Sequence, residues 1–278
     1  MLVLGIDTAT RVGSVGIVRA TFDDARPGLH PAPGRVAEAC EVCAEVTRDT
    51  GLGHGTELLS LIDECVVAAG AALEDVGCVA VSVGPGSFTG LRVALATAKG
   101  LTLVGDLPLV GVPTLAALAS TVLPGWATGD EPDLPVGTVV APCLDARKGE
   151  VYGASFIVRE PVWSDAAPRL ERTSDDGAFA PSAFLDVLVE RVPHEAPVVL
   201  LGDGCTRYAT EIAAPLGSRA RVLPLESRPP SGAAIARSGA AILAGRGPDD
   251  RASLVPRYAR ASEAEILRER RGATTVAR

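Results

Sequence analysis

The chain has 278 residues, 47% of them apolar, and at roughly 100–200 residues per domain this favours two modest domains, each able to bury a core. That apolar content excludes disorder of the whole chain. Twenty-six basic against 34 acidic residues give a net charge of −8, without the footprint of a protein that grips a phosphate backbone unaided, so a nucleic-acid partner would need another subunit. The longest apolar run, Cys65 to Leu73, is about half of what a membrane-spanning helix requires, so no transmembrane segment is expected. With no basic n-region before Asp7, a cytoplasmic location is expected, and Cys40, Cys43, Cys65, Cys78, Cys143 and Cys205 are expected as thiols.

Leu2 to Asp7 and Gly13 to Val18 are apolar runs separated by a Thr-Ala-Thr-Arg stretch and read as a β-hairpin. Residues 22–34, with three prolines and two glycines, read as an insertion or long turn. Cys40, Val42, Ala44 and Val46 alternate with Glu41, Cys43, Glu45 and Thr47, the pattern of a half-exposed strand on which Cys40 and Cys43 face opposite sides. Leu58, Leu61, Ile62, Cys65, Val66 and Ala69 then form one helical stripe. Val79 to Val83 is a β-branched strand, Leu91 to Leu103 a helix rich in small residues, Leu109 to Val112 a strand, and Thr114 to Val122 a helix entered through Pro113. Residues 123–137 read as a linker. A second hairpin pairs Thr138 to Leu144 with Glu150 to Val158. Helices follow at Pro181 to Val192, Thr206 to Leu216 and Gly232 to Leu243, the last opened by Ser231, with a strand at Val198 to Leu201. Residues 262–271 form a charged amphipathic tail in which Ser262 to Glu265 resembles a capping signal. An apolar strand ending in an aspartate and turning into a glycine-containing return strand occurs twice, around Asp7 and around Asp145; coincidence and internal duplication are equally open on this pattern.

Gly84, Pro85, Gly86, Ser87, Phe88, Thr89 and Gly90 join a strand to a helix. Three glycines leave amides uncovered near a helix N-terminus, which suits an anion, and equally suits a tight packing turn. The loop lacks the Gly-Lys-Ser/Thr of a phosphate-binding Walker loop, and Pro85 stands where a nucleophile elbow needs its first glycine, so Ser87 is not read as a nucleophile. Asp7, Thr8 and Thr10 at a strand end could serve phosphates and magnesium, or ordinary turn chemistry. His30, His54 and His194 have no pairing distance among them and Cys40-x-x-Cys43 has no second cysteine pair, so no metal site is expected. Glu263, Glu265 and Glu269 interleave with the arginines of the tail, the composition of a solvated segment. The Leu58 to Ala69 stripe and the Leu91 to Leu103 helix, with Ala94, Ala96, Ala98 and Gly100, read as covering the sheet or as a two-helix surface for another chain.

Four segments carry a family resemblance: Ile6-Asp-Thr-Ala-Thr10, Gly84-Pro-Gly-Ser-Phe-Thr-Gly-Leu-Arg92, Gly111-Val-Pro-Thr-Leu115 and Leu144-Asp-Ala-Arg-Lys-Gly-Glu-Val-Tyr152. In order and spacing they resemble the TsaB (YeaZ) family, a subunit of the bacterial machinery that makes threonylcarbamoyladenosine at position 37 of tRNA. Val255-Pro-Arg-Tyr258 resembles the family's closing Pro-x-Tyr-Leu-Arg element, with Ala259 in place of the Leu. The resemblance implies an α/β actin-like ATPase (ASKHA, ribonuclease H-like) fold of two related lobes, each opening with a β-hairpin. Residues 1–112 with about 231–260 would form the first lobe, 113–230 the second and 261–278 a charged tail. Asp7, Thr8, Thr10 and Asp145 become nucleotide or phosphate candidates, and Gly84 to Gly90 with Arg92 the family loop.

The catalytic relatives, of TsaD type, carry a His-x-x-x-His metal site whose positions fall here on Thr114 and Leu118. The resemblance therefore implies a non-catalytic subunit without a metal or a required cofactor, leaving ATP or ADP binding open. The implied partners are a TsaD-type catalytic subunit, a TsaE-type small ATPase through the complex, and tRNA indirectly; alone the chain would form a homodimer. Leu58, Leu61, Ile62, Cys65, Ala69, Leu91, Leu95 and Ala98 are the candidate interface residues. The rival readings are a stand-alone actin-like kinase or phosphotransferase using Asp7 and Asp145, and a metallopeptidase.

Overall fold

The computed structural model describes residues 1–22, 37–49, 51, 54–123, 134–160, 169–191, 193, 195–223 and 229–260. The expected 22–34 insertion, the 123–137 linker and the tail with its capping signal fall largely or wholly outside those residues. Two sheets organise the rest.

The first sheet has the order β3-β2-β1-β4-β5, from β1 (Leu2–Asp7), β2 (Val12–Phe22), β3 (Ala37–Asp49), β4 (Val76–Gly84) and β5 (Leu109–Pro113). Every residue of β1 is buried, as expected of a strand covered on both faces. It pairs antiparallel with β2, Leu4 opposite Ile17 and Asp7 opposite Ser14, and parallel with β4, Ile6 opposite Val81. Helices α1 (His54–Ala68) and α2 (Phe88–Gly105) cover one face, where Leu58, Leu61, Cys65, Leu95 and Ala98 pack on Leu4, Ile6, Val15 and Ile17. The other face is covered by α7 (Gly232–Arg246), whose Ala233, Ala236, Ala240 and Leu243 pack on Val3, Val18, Ala80 and Val110. The small side chains of α7 follow from how close it lies. A Cβ at Gly16 would sit 2.2 Å from the Ala233 amide nitrogen, and one at Gly232 would sit 2.3 Å from that of Gly16.

The expected alternation on β3 is broken by a bulge. Ile17 pairs with Ala44 but Val18 with Val42, leaving Cys43 as the extra residue. Cys43, Ala44 and Val46 pack toward α1 and α2, Cys40 packs toward α7, and Val42 is 43% exposed. The four residues read as one face are therefore split.

The second sheet runs β10-β7-β6-β11-β12, with β8 paired to β6 and β9 to β8. Its strands are β6 (Val139–Arg147), β7 (Glu150–Gly153), β8 (Phe156–Arg159), β9 (Arg169–Arg172), β10 (Gly177–Phe179), β11 (Val198–Leu201) and β12 (Ala220–Val222). Helices α3 (Thr114–Ser120), α4 (Pro181–Arg191), α5 (Asp203–Arg207) and α6 (Ala209–Ile212) pack around it. The return strand Glu150 to Val158 is not continuous: it divides at Ser155, whose amide and hydroxyl both donate to Ser174 Oγ, at 2.8 and 3.0 Å. The expected helix Thr206 to Leu216 divides into α5, α6 and a 3-10 turn at Ala214–Arg219, where Pro215 has no amide to donate and Gly217 turns at φ 60°. β9, β10 and β12 have three or four residues each and no apolar run long enough to announce them.

The two sheets repeat one plan. In each, the first hairpin strand is central, antiparallel strands lie to one side (β2 and β3 in the first sheet; β7 and β10, with β8 and β9, in the second), and two parallel strands lie to the other. The Asp7 and Asp145 hairpins occupy matching places in the two sheets.

Candidate functional site

Where β1 ends, the chain turns beneath α7. Asp7 Oδ1 accepts the Ala9 amide at 2.9 Å, and the side chain is almost wholly buried. Burial lifts the Asp7 carboxyl to about 6, with a smaller rise from the charge of Glu45, against the Ala9 amide and then the Ser82 hydroxyl, which lower it. Ser82 Oγ is itself buried and makes no well-formed hydrogen bond among the described residues.

Thr8 and Thr10, the other two residues read as phosphate candidates on this turn, have different tasks. Thr8 Oγ1 donates to the Gly90 carbonyl at 2.8 Å in the interior, which ties the turn to the start of α2. Thr10 closes its own turn through the Val12 amide, 3.1 Å, and carbonyl, 3.2 Å. Of the three, Asp7 and Thr10 line the space between the two sheets.

The Gly84 to Gly90 loop packs rather than cradles. A Cβ at Gly86 would meet the Ala9 carbonyl at 2.5 Å, and one at Gly90 the Thr8 carbonyl at 2.0 Å. Pro85 follows a cis peptide bond, the Gly84 amide donates to Thr114 Oγ1 at 3.1 Å, and the Ser87 amide donates to the Ala9 carbonyl at 2.6 Å. Ser87 is the N-cap of α2, accepting the Gly90 amide at 3.2 Å. Of the two readings open in the sequence, the packing turn describes this loop. Thr89 lies exposed beside Phe88, whose ring stacks on Tyr258 with centroids 4.8 Å apart. Arg92 lies over Phe88 at 3.7 Å and donates to Tyr258 Oη at 2.8 Å.

Asp7, Thr10, Thr114, Leu118, Leu144 and Ser231 line a cleft between the two sheets. It encloses about 10 Å³, room for about one water and far less than the roughly 300 Å³ or more of a small-molecule site. Thr114 is engaged by Gly84, and Leu118 packs in the second core. Among the described residues no three His, Cys, Asp or Glu side chains gather as a metal site, and no helix is long and apolar enough to cross a membrane.

Asp145 repeats the geometry of Asp7, its Oδ1 accepting the amide two residues on, Arg147, at 2.9 Å. It does not line the cleft; Leu144 does. Its carboxylate lies 3.7 Å from the Arg147 guanidinium and 3.8 Å from that of Arg207, and its amide donates to Asp203 Oδ1 at 2.9 Å. Burial pushes the Asp203 carboxyl up, and the neighbouring Asp145 charge adds to the rise.

The α7 N-terminus was legible only through Ser231. The structure adds Glu45 from β3, whose Oε1 accepts Ser231 Oγ at 2.7 Å and the Ala233 amide at 2.9 Å, while Ser14 Oγ accepts the Gly232 amide at 2.9 Å. A pairing between residues 186 or more positions apart leaves no local pattern in sequence.

The interface residues need correction. Leu58, Leu61, Ile62, Cys65, Leu91, Leu95 and Ala98 are at most 5% exposed, and Ala69 packs against the same core. A helical stripe that covers the sheet has no surface left for another chain. The outward faces carry different residues: Leu59 and Val67 on α1, 63% and 70% exposed, and Phe88, Arg92, Ala96, Gly100 and Leu103 along α2.

A family model described as tRNA N6-adenosine threonylcarbamoyltransferase (TsaD) matches residues 47–169. The tRNA threonylcarbamoyladenosine biosynthesis protein TsaB of Escherichia coli (strain K12) is 32% identical over 156 residues, 56% of this chain and 55% of that one. The Haemophilus influenzae protein of the same name is 38% identical over 112 residues, 40% and 43% of the two chains. That of Bacillus subtilis (strain 168) is 28% identical over 206 residues, 74% and 77%. The match spans about half the length of the first two of these relatives. The crystal structure of YeaZ from Pseudomonas aeruginosa superimposes with a TM-score of 0.65 at 21% identity, over 93% of this chain and 100% of that one, and so shares its fold of mixed sheets flanked by helices.

Proposed function

We propose that this chain, a homologue of the TsaB (YeaZ) proteins, is the non-catalytic subunit of a tRNA N6-adenosine threonylcarbamoyltransferase. It pairs with a TsaD-type catalytic subunit, and the pair, with a TsaE-type small ATPase, moves threonylcarbamoyl from its adenylate onto N6 of adenosine 37. The fold is of the actin-like (ASKHA) class, with residues 1–112 and about 231–260 as one lobe, 113–230 as the other and 261–278 as a tail. The chain works in the cytoplasm and meets tRNA only through the complex, in keeping with its net charge of −8.

The observation that carries the non-catalytic reading lies at Thr114 and Leu118, where catalytic relatives hold their metal histidines. Thr114 instead receives the Gly84 amide, and Leu118 belongs to a core. Docking is assigned to the outward faces of α1 and α2, where Leu59, Val67 and Leu103 are exposed. The same face supports a homodimer when the catalytic subunit is missing.

Reconstitution tests the reading. The chain alone, given threonylcarbamoyl adenylate and unmodified tRNA, should yield no threonylcarbamoyladenosine in digested nucleosides, and a TsaD-type subunit with TsaE and ATP should restore it. Magnesium-dependent ATP hydrolysis by the isolated chain, abolished in Asp7→Ala, would instead establish the kinase or phosphotransferase reading.

A further inference from the structure

After α7 the chain does not leave the molecule. The Asp249 amide donates to the Leu109 carbonyl at 2.8 Å, and Asp249 Oδ2 accepts the Gly111 amide at 2.8 Å, which lays the segment along the last strand of the first sheet. Leu254 packs into the first core over Gly111. The Arg257 amide then donates to the Val83 carbonyl at 2.6 Å, and the Tyr258 ring stacks on Phe88. Two residues later the chain reaches the other lobe: Arg260 Nη1 lies 2.5 Å from Glu150 Oε2, at the start of β7. Both side chains are partly buried, 26% and 37% exposed. Such burial shields a charge-assisted hydrogen bond from the screening that weakens most surface ion pairs.

We propose that residues 254–260 are an interlobe strap, and that the Arg260–Glu150 pair is the latch that holds the two lobes closed over the cleft lined by Asp7 and Leu144. One end of the strap is fixed to the first lobe by backbone hydrogen bonds and a buried leucine. Among the described residues, its other end is held by the Arg260–Glu150 pair, with the Tyr152 side chain nearby, and that pair is where the connection yields first. The β6–β7 hairpin that carries Glu150 also carries Leu144 and Asp145, so a displacement of Glu150 moves the second-lobe wall of the cleft. The cleft has room for about one water in this arrangement, and opening the latch widens it. The inference concerns the isolated chain and stands or falls apart from the pairing with a catalytic subunit.

Hydrogen exchange on the full chain, free of partners, tests it. The Ala9 amide, bonded to the cleft-lining Asp7, and the Asp145 amide, next to the cleft-lining Leu144, report the two walls of the cleft. In Glu150→Gln and in Arg260→Gln both should exchange at least threefold faster than in the wild type, with amides in the middle of β1 and β4 unchanged. The charge swap Glu150→Arg with Arg260→Glu should restore protection. Acceleration confined to residues 254–260, with both reporters unchanged, would overturn the latch and leave only a local anchor. Uniform acceleration through β1 and β4 would overturn it too, since the pair would then serve global stability.

Discussion

Gly100→Arg separates docking from folding. Gly100 lies inside α2, solvent-exposed, and a Cβ built there meets no atom within 4 Å. Glycine in a helix interior is about 0.8–1.0 kcal/mol less favourable than alanine, and arginine is nearly as good as alanine, so the isolated chain should gain about 0.5–1 kcal/mol. For a chain of this size a gain of 1 kcal/mol raises Tm by roughly 2–4 °C, so an increase of about 1–4 °C is expected. The same substitution places a long cation between Ala96 and Leu103 on the outward stripe, where a partner helix would approach most closely. Affinity for a TsaD-type subunit, measured by titration calorimetry, should fall at least tenfold, about 1.4 kcal/mol. Leu61→Arg would not separate the two effects: Leu61 is 1% exposed, and burying an unpaired charge there destabilises the lobe itself. Unchanged affinity in a well-folded Gly100→Arg chain would refute docking on this face, and a lowered Tm would refute the helix argument.

Asp7 gives a pH dependence. Its folded-state pKa is raised from 3.8 to about 6, so the native state prefers the protonated form, and the stability this group contributes is present below pH 3.8 and lost as pH rises through 6. Asp7→Asn should therefore be more stable than wild type by about 3 kcal/mol at pH 7.5, with the difference vanishing near pH 3.5, as read from urea melts at the two pH values. Glu45→Ala removes the carboxylate from the α7 N-terminus and should cost about 1–2 kcal/mol in the same melts; no loss would mean that Ser231 and Ser14 suffice as caps. Of the six cysteines, Cys65, Cys78, Cys143 and Cys205 are buried, and burial lifts the Cys78 thiol to about 12. Under native conditions a thiol reagent should thus label only Cys40 and Cys43 rapidly, and all six in denaturant. Rapid labelling of a third thiol would contradict the packing around it.

Length, composition and charge were read first as two domains without a nucleic-acid footprint, and the apolar periods set out most of the elements by themselves. A run such as Leu2 to Asp7 or Val79 to Val83 has little choice but to be a buried strand, and the Leu58 to Ala69 stripe little choice but to be a helix with one face on a core. Local chemistry also showed Ser231 opening α7. What the sequence left undecided was which face of each pattern does what, because periodicity records that a face is apolar and not what covers it. Only the packed sheet shows that the apolar stripes of α1 and α2 are fully used inside the lobe, which leaves Leu59, Val67, Ala96 and Gly100 facing outward. The same holds for the glycine loop, which in sequence suits an anion and a packing turn equally, and whose packing appears only where the Thr8 and Ala9 carbonyls press against Gly90 and Gly86. Contacts between residues far apart in the chain decided the rest: Glu45 at the head of α7, the bulge at Cys43, and Arg260 reaching Glu150. Each depends on where two distant backbones come to lie, and that is settled when the sheets and helices pack together, not by any run of neighbouring residues.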